Sequence, residues 1–110
     1  NAAPWDLPDR WQAAASDSTL RAAPLNLVST VDISGGSSGS PLVNGDLELV
    51  GVVFDSNQPA LPNRFLYRTE QARAIAVDSR GIIAALRRVY NAEALVQELV
   101  DGYTNVAARP

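Results

Sequence analysis

Apolar and polar positions change period along this chain, and the change divides it into parts. In Leu25-Asn26-Leu27-Val28-Ser29-Thr30 they alternate and become β-branched toward the end, as in a half-buried strand. Pro41-Leu42-Val43 and the run from Leu47 to Phe54 flank Asn44-Gly45. An Asn-Gly pair between two apolar runs predicts a hairpin, because both residues tolerate positive φ. Phe65-Leu66-Tyr67 and Ala74-Ile75-Ala76-Val77 read as two further short strands. Asp55 to Arg64, with Asn57, Pro59, Pro62 and Asn63, reads as a loop. From residue 78 the period lengthens. Ile82, Ile83, Leu86, Val89 and Tyr90 form one stripe of a helix that Asp78 can cap. Leu95, Val96, Leu99 and Val100 form the inward stripe of a second helix, capped by Asn91 and ended by Gly102. Both stripes are expected to be core contacts.

Residues 4–24 show no sustained period. Pro4, Pro8 and Pro24 punctuate them, Trp5 and Trp11 supply two large apolar anchors, and Asp9 to Ala15 fits a short helix. Such an aromatic-rich arm is expected to lie against a neighbouring surface. The chain thus divides into 1–3, a tag remnant (Asn1-Ala2) and start; 4–24, the arm; 25–77, the β region; 78–101, the helices; and 102–110, a frayed tail. The fold class expected from these elements is mainly β with C-terminal helices, an α+β arrangement.

Composition removes several function classes. A length of 110 residues allows one domain or part of one, and the 46% hydrophobic content fits a chain with a core. A net charge of −3 with Arg87-Arg88 as the only adjacent basic pair leaves no electrostatic footprint for nucleic acid. No apolar run approaches the ~18 residues needed to span a bilayer. With neither cysteine nor histidine, disulfides and thiolate metal sites are excluded, and zinc would have to rely on carboxylates alone. No cofactor is called for. No signal peptide is visible.

The candidate chemistry lies in Gly35-Gly36-Ser37-Ser38-Gly39-Ser40-Pro41. Nucleophilic acyl transfer needs a serine on a tight turn, with backbone N–H groups aimed where negative charge develops on the substrate carbonyl. Gly36 lets the chain aim its N–H there, Gly39 leaves space beside the Ser38 hydroxyl, and Pro41 starts a strand where no ladder donor is needed. The same stretch also reads as a flexible polar turn. A phosphate cradle is disfavoured, since the lysine and following helix of phosphate loops are missing.

Three segments carry a resemblance. Asn26 to Pro41, Glu48 to Asn57, and Ile75 to Arg80, followed by an apolar helix and Val89-Tyr90-Asn91-Ala92, are similar to the nucleophile region of the bacterial dipeptidyl-peptidase 7 and dipeptidyl-peptidase 11 family of serine peptidases. The resemblance runs from about Pro4 to Leu99. It implies the C-terminal part of a much longer protein. It also implies that this chain is part of the second β-barrel of a chymotrypsin-like double-barrel peptidase. The triad histidine and aspartate would lie upstream, which accounts for a chain without histidine. Ser38 resembles the nucleophile, and the N–H groups of Gly36 and Ser38 resemble the oxyanion hole. Ser56 stands at the primary specificity position, where glycine in the family goes with hydrophobic substrates and arginine with acidic ones. A small neutral serine there implies apolar or uncharged side chains. Asp55, just before it, is a second candidate substrate contact or a brace for the strand.

The chain departs from the family in places. Asparagine is usual where Ser37 and Val31 stand. Trypsin-like enzymes carry an aspartate at the position of Ser37 that pairs with a freed N-terminus, so the loop here must be held by other hydrogen bonds. Asp32 is expected to be structural rather than a selector of basic substrates, and Asp78 a helix cap. The implied parent removes dipeptides from peptides with a free N-terminus, in the bacterial periplasm or at the cell surface, as a homodimer. The isolated chain, a serine without its base, is expected to be inactive and, with part of a barrel exposed, to self-associate. The competing expectation is a non-catalytic peptidase-like β-domain for assembly or peptide binding.

Overall fold

The computed structural model describes residues 3–101. They fall into two compact units: Pro24–Ile82, and the described residues up to Ala23 together with those from Ile83 onward.

Pro24–Ile82 is built on a four-stranded sheet. Strands β1 (Asn26–Ser29), β2 (Pro41–Val43), β3 (Leu49–Ser56) and β4 (Ala74–Asp78) lie in the order β1-β4-β3-β2, with every neighbouring pair antiparallel. Pairing of Leu27 with Ala76 and of Ala76 with Val53 sets these residues in one row across three strands. Leu42, Val53 and Ala76 form the buried cluster of this unit, with Leu27, Ile33 and Val50 packed on it. Each fully buried Val or Leu contributes about 1.5–3 kcal/mol, so this small cluster holds the sheet together.

The β2–β3 hairpin exists as expected, but its turn is made differently. The Asn44 Oδ1 accepts the N–H groups of Asp46 and Glu48 (2.9 and 3.0 Å), and its Nδ2 donates to the Glu48 carboxylate (2.7 Å). The positive φ falls on Leu47 (64°), not on Asn44 or Gly45. The register slips between Leu42 and Val43 of β2, and again between Val53 and Asp55, leaving Phe54 as a bulge on β3. Bulges redirect the residues that follow them.

The predicted strand Phe65–Tyr67 is not one. The chain after β3 forms a 3₁₀ helix, Gln58–Arg64, where an unstructured loop was expected. Prolines cost a 3₁₀ segment less than a long α-helix, because short 3₁₀ runs leave more N–H groups unpaired in any case. The expected barrel is therefore corrected to a small mixed α/β domain with an open sheet. Closure would require β1 and β2 to pair, and they lie at opposite edges, three strand spacings or about 14 Å apart. Nor is the chain mainly β: more of its described residues are in α-helices than in strands.

Helix α3 (Ser79–Arg88) starts at the end of β4. The Asp78 side chain, 1% exposed as a residue, accepts the Arg80 N–H and Nε on Oδ1 (2.9 and 3.0 Å) and Nη2 on Oδ2 (2.8 Å). The bond from the Arg80 side chain holds the Asp78 carboxyl below the usual carboxylate range; burial pushes the other way, and the Arg80 backbone N–H adds to the lowering. Asp78 is thus the cap the sequence predicts, with an arginine added.

In the other unit, α1 (Asp9–Ala14) and α2 (Ser18–Ala22) precede the sheet in sequence, and α4 (Glu93–Asp101) follows α3. Asp17 caps α2 through the Leu20 N–H (2.9 Å) and lies 3.9 Å from Arg88. Trp11 meets Tyr90 edge-on, with ring centroids 6.5 Å apart, and its Nε1 donates to the Tyr90 hydroxyl. Trp5, by contrast, is 87% exposed and anchors nothing among the described residues. Asn91 does not cap α4. It sits at φ 52°, while the Ala92 N–H bonds back to Leu86 O (2.9 Å), so it terminates the preceding helix in a left-handed turn. Of the stripe on α4 only Val96 is buried; Leu95, Leu99 and Val100 remain exposed. The predicted stop at Gly102, the tail to 110 and the tag remnant Asn1-Ala2 lie outside the described residues.

Candidate active site

The glycine-serine loop is two turns joined at Ser37. The Ser37 N–H donates to Ser34 O and the Ser40 N–H to Ser37 O, both at 3.0 Å. Each turn carries a glycine of positive φ at its third position, Gly36 (98°) and Gly39 (88°), the conformation that defines type II turns and that other residues adopt at a cost. The Ser37 Oγ accepts the Ser34 N–H (3.1 Å), so serine supplies a local bond that holds the first turn. The Gly39 N–H donates to Val53 O (2.7 Å) and the Val53 N–H to Ser40 O (3.0 Å), which stitches the second turn to β3.

Ser38 is left at the second position of the second turn, exposed. Its Oγ lies 3.4 Å from the Phe54 carbonyl, a long and weak hydrogen bond to the bulge residue. Donors along the loop are divided. The N–H groups of Ser37, Gly39 and Ser40 are bonded within the protein, whereas those of Gly35, Gly36 and Ser38 donate to no acceptor among the described residues. Nothing crowds the open side of Gly36.

One cleft of about 230 Å³ brings the sequence candidates together: Gly36, Ser38, Asp55 and Ser56 all line it, with Ile33 and Phe54 as apolar walls. The Asp55 Oδ1 accepts the Ser56 N–H (2.8 Å), and Ser56 is partly buried at the end of β3, opposite Ala74. Asp32 is exposed, does not line this cleft and makes no side-chain hydrogen bond among the described residues.

The 3₁₀ helix supplies a wall that sequence reading did not assign to the site. Ala60, Leu61 and Arg64 line the cleft. Asn57 and Asn63 fix this segment at both ends. The Asn57 side chain bonds Gln71 O and the Arg73 N–H (2.7 and 2.9 Å), and the Asn63 side chain bonds the backbone of Arg68 in both directions. The only sequence signal for it was the spacing of Leu61 and Arg64, one 3₁₀ turn apart. No group of three or more acidic side chains suited to a metal gathers among the described residues. None of the described helices is long and apolar enough to cross a membrane.

Residues 1–100 match the family described as Peptidase S46. An Asp/Glu-specific dipeptidyl-peptidase of Shewanella putrefaciens is 41% identical over 73% of this chain and 11% of its own length. Dipeptidyl-peptidase 7 of Phocaeicola vulgatus is 36% identical over 69% of this chain and 10% of its own. Among solved structures, Porphyromonas endodontalis DPP11 in complex with the dipeptide Arg-Glu superimposes with a TM-score of 0.75 at 25% identity, over 86% of this chain and 14% of that one. The chain therefore spans about a tenth of the length of the curated relatives it matches. With the match running from residue 1 to residue 100 and including the two-turn serine loop and the strand beside it, this chain belongs to the peptidase S46 family.

Proposed function

We propose that this chain is the nucleophile-bearing part of a serine dipeptidyl-peptidase that releases dipeptides from the free N-terminus of peptides. The observation that carries the reading is that the Gly36 and Ser38 N–H groups, one on each of the two turns of the loop, donate to no acceptor among the described residues and line the same cleft as the Ser38 hydroxyl. Ser38 Oγ attacks the carbonyl carbon of the second residue of the peptide. Its proton passes to a base encoded outside these 110 residues, because this chain has no histidine. The two N–H groups hold the negative charge that develops on the carbonyl oxygen. Collapse expels the shortened peptide as an amine and leaves the dipeptide esterified to Ser38, and water then releases it. Asp55 and Ser56 contact the substrate from β3. In the resting state the Ser38 hydroxyl leans on the Phe54 carbonyl, which is a weak acceptor and no base.

On this reading the parent acts outside the cytoplasm, in the periplasm or at the cell surface, as a homodimer, and the isolated chain is inactive. The test is release of arylamine from unblocked dipeptidyl-arylamides by the full-length protein. Turnover that disappears on Ser38→Ala and on acetylation of the substrate amine is the expected result. A full-length protein that binds such peptides but never cleaves them would leave the non-catalytic binding reading in its place.

A further inference from the structure

We propose that Asn44 is a self-modification site: the Asn44-Gly45 turn deamidates through a cyclic imide, and the acid it leaves loosens the hairpin that seats the serine loop. The modification needs no partner, cofactor or upstream residue, and it does not depend on Ser38 being the nucleophile.

Asn44-Gly45 is the only Asn-Gly pair in the chain. Asparagine amides are thermolabile, and here the surrounding atoms favour the reaction. The attacking group is the Gly45 nitrogen, whose N–H donates to no acceptor among the described residues. Gly45 is exposed, and nothing lies within 4 Å of where a Cβ would stand, so ring closure is unobstructed. The group attacked is Asn44 Cγ. Its Oδ1 already accepts the Asp46 and Glu48 N–H groups at 2.9 and 3.0 Å, and attack places negative charge on that same oxygen. The Asn44 N–H bonds Glu48 O and the Leu47 N–H bonds Asn44 O, both at 3.1 Å, which holds the turn in this shape. The Gly45 nitrogen bonds to Cγ, the Cγ–Nδ2 bond breaks, and ammonia leaves with the proton that Gly45 gives up. Water then opens the ring at either carbonyl and leaves aspartate or isoaspartate.

The product reverses a contact. Nδ2 now donates to the Glu48 carboxylate at 2.7 Å; afterwards a second carboxylate faces Glu48 there, and attraction becomes repulsion. Isoaspartate also adds a carbon to the main chain next to β2, whose register is already shifted between Leu42 and Val43. β2 starts at Pro41, directly after the residues that tie the loop to β3: Gly39 N–H to Val53 O, and Val53 N–H to Ser40 O. Loosening the turn therefore loosens the seat of Ser38.

The experiment ages the full-length protein at mildly alkaline pH in heavy-oxygen water and maps its peptides by mass. Label should enter at Asn44, and not at Asn57, Asn63 or Asn91, whose following residues carry side chains. It should enter at least as fast as in the same protein unfolded in urea, and at the same rate in Ser38→Ala protein. Gly45→Ala should slow labelling and leave dipeptidyl-arylamide turnover unchanged, because Gly45 has open space and needs no positive φ. Asn44→Asp, which installs the product in advance, should lower hydrogen-exchange protection of the β2–β3 ladder about tenfold, the scale of one lost charge-assisted hydrogen bond, and lower kcat/KM with it. Slower labelling in the folded protein than in urea would overturn the site. Unchanged protection and turnover in Asn44→Asp would overturn its effect on the loop. Turnover that survives Ser38→Ala fails the nucleophile reading alone and leaves the labelling result standing.

Discussion

Removing the Asp78 carboxylate tests how β4 is joined to α3. Asp78 is buried and bonds the backbone and guanidinium of Arg80, whose own side chain is 74% exposed. Asp78→Ala deletes a helix cap, worth about 1 kcal/mol, and bonds to a charged partner, worth about 1.5–3 kcal/mol. The expected loss is about 2–4 kcal/mol, a large part of the ~5–15 kcal/mol that holds a domain of this size. Asp78→Asn keeps an oxygen for the cap and loses the charge, so it should fall between. Acid dependence gives a second readout. The Asp78 pKa in the folded chain lies below its unfolded value near 3.9, so the unfolded state takes up the proton first as pH drops. The contribution is complete above that unfolded value and is lost as pH falls through the lowered folded one. Urea unfolding followed by circular dichroism between pH 7 and pH 2.5 measures both. A cost under about 0.5 kcal/mol for Asp78→Ala, or an acid profile that Asp78→Asn leaves unchanged, would refute the reasoning.

Three other outcomes follow from named contacts. A Cβ on Gly81 would stand 2.4 Å from Pro24 O and 3.5 Å from Leu25 Cα, so Gly81→Ala should destabilise by about 1–3 kcal/mol in denaturant titrations; helix propensity alone predicts a gain of about 1 kcal/mol. Leu47 is 83% exposed at φ 64°, so Leu47→Gly should raise the thermal midpoint through a gain of about 0.5–1 kcal/mol, and a drop would show that the leucine packs. Edge strand β1 presents Val28 to solvent, so the isolated chain should gain mass with concentration in light scattering, and Val28→Lys should reduce that gain.

Local chemistry was legible in the sequence, and partner-dependent geometry was not. Strands β1, β2 and β4 follow from short apolar patterns, and the serine loop from its glycines, whose positive φ values are properties of the turns themselves. The bulge at Phe54 depends on how β3 meets β4, and no residue in Val53-Phe54-Asp55 announces it. Asparagine suits both a helix start and a left-handed stop, so sequence alone does not tell which helix Asn91 serves, and only the Ala92–Leu86 bond decides for the stop. The barrel expectation failed for a similar reason: closure is a property of strand edges, and Phe65–Tyr67, expected to add a strand, leaves the sheet after the 3₁₀ helix. Gly36, Ser38, Asp55 and Ser56 do meet at one cleft. Arg64 lines the same cleft but ends a segment that carries no sequence motif.

The most direct measurement is covalent trapping in the full-length protein. A dipeptidyl phosphonate with a free amine, followed by peptide mapping, should place a single phosphonyl group on Ser38, and unblocked substrate should protect against it. Labelling at another serine, or efficient substrate turnover with Ser38 unmodified, would contradict the account.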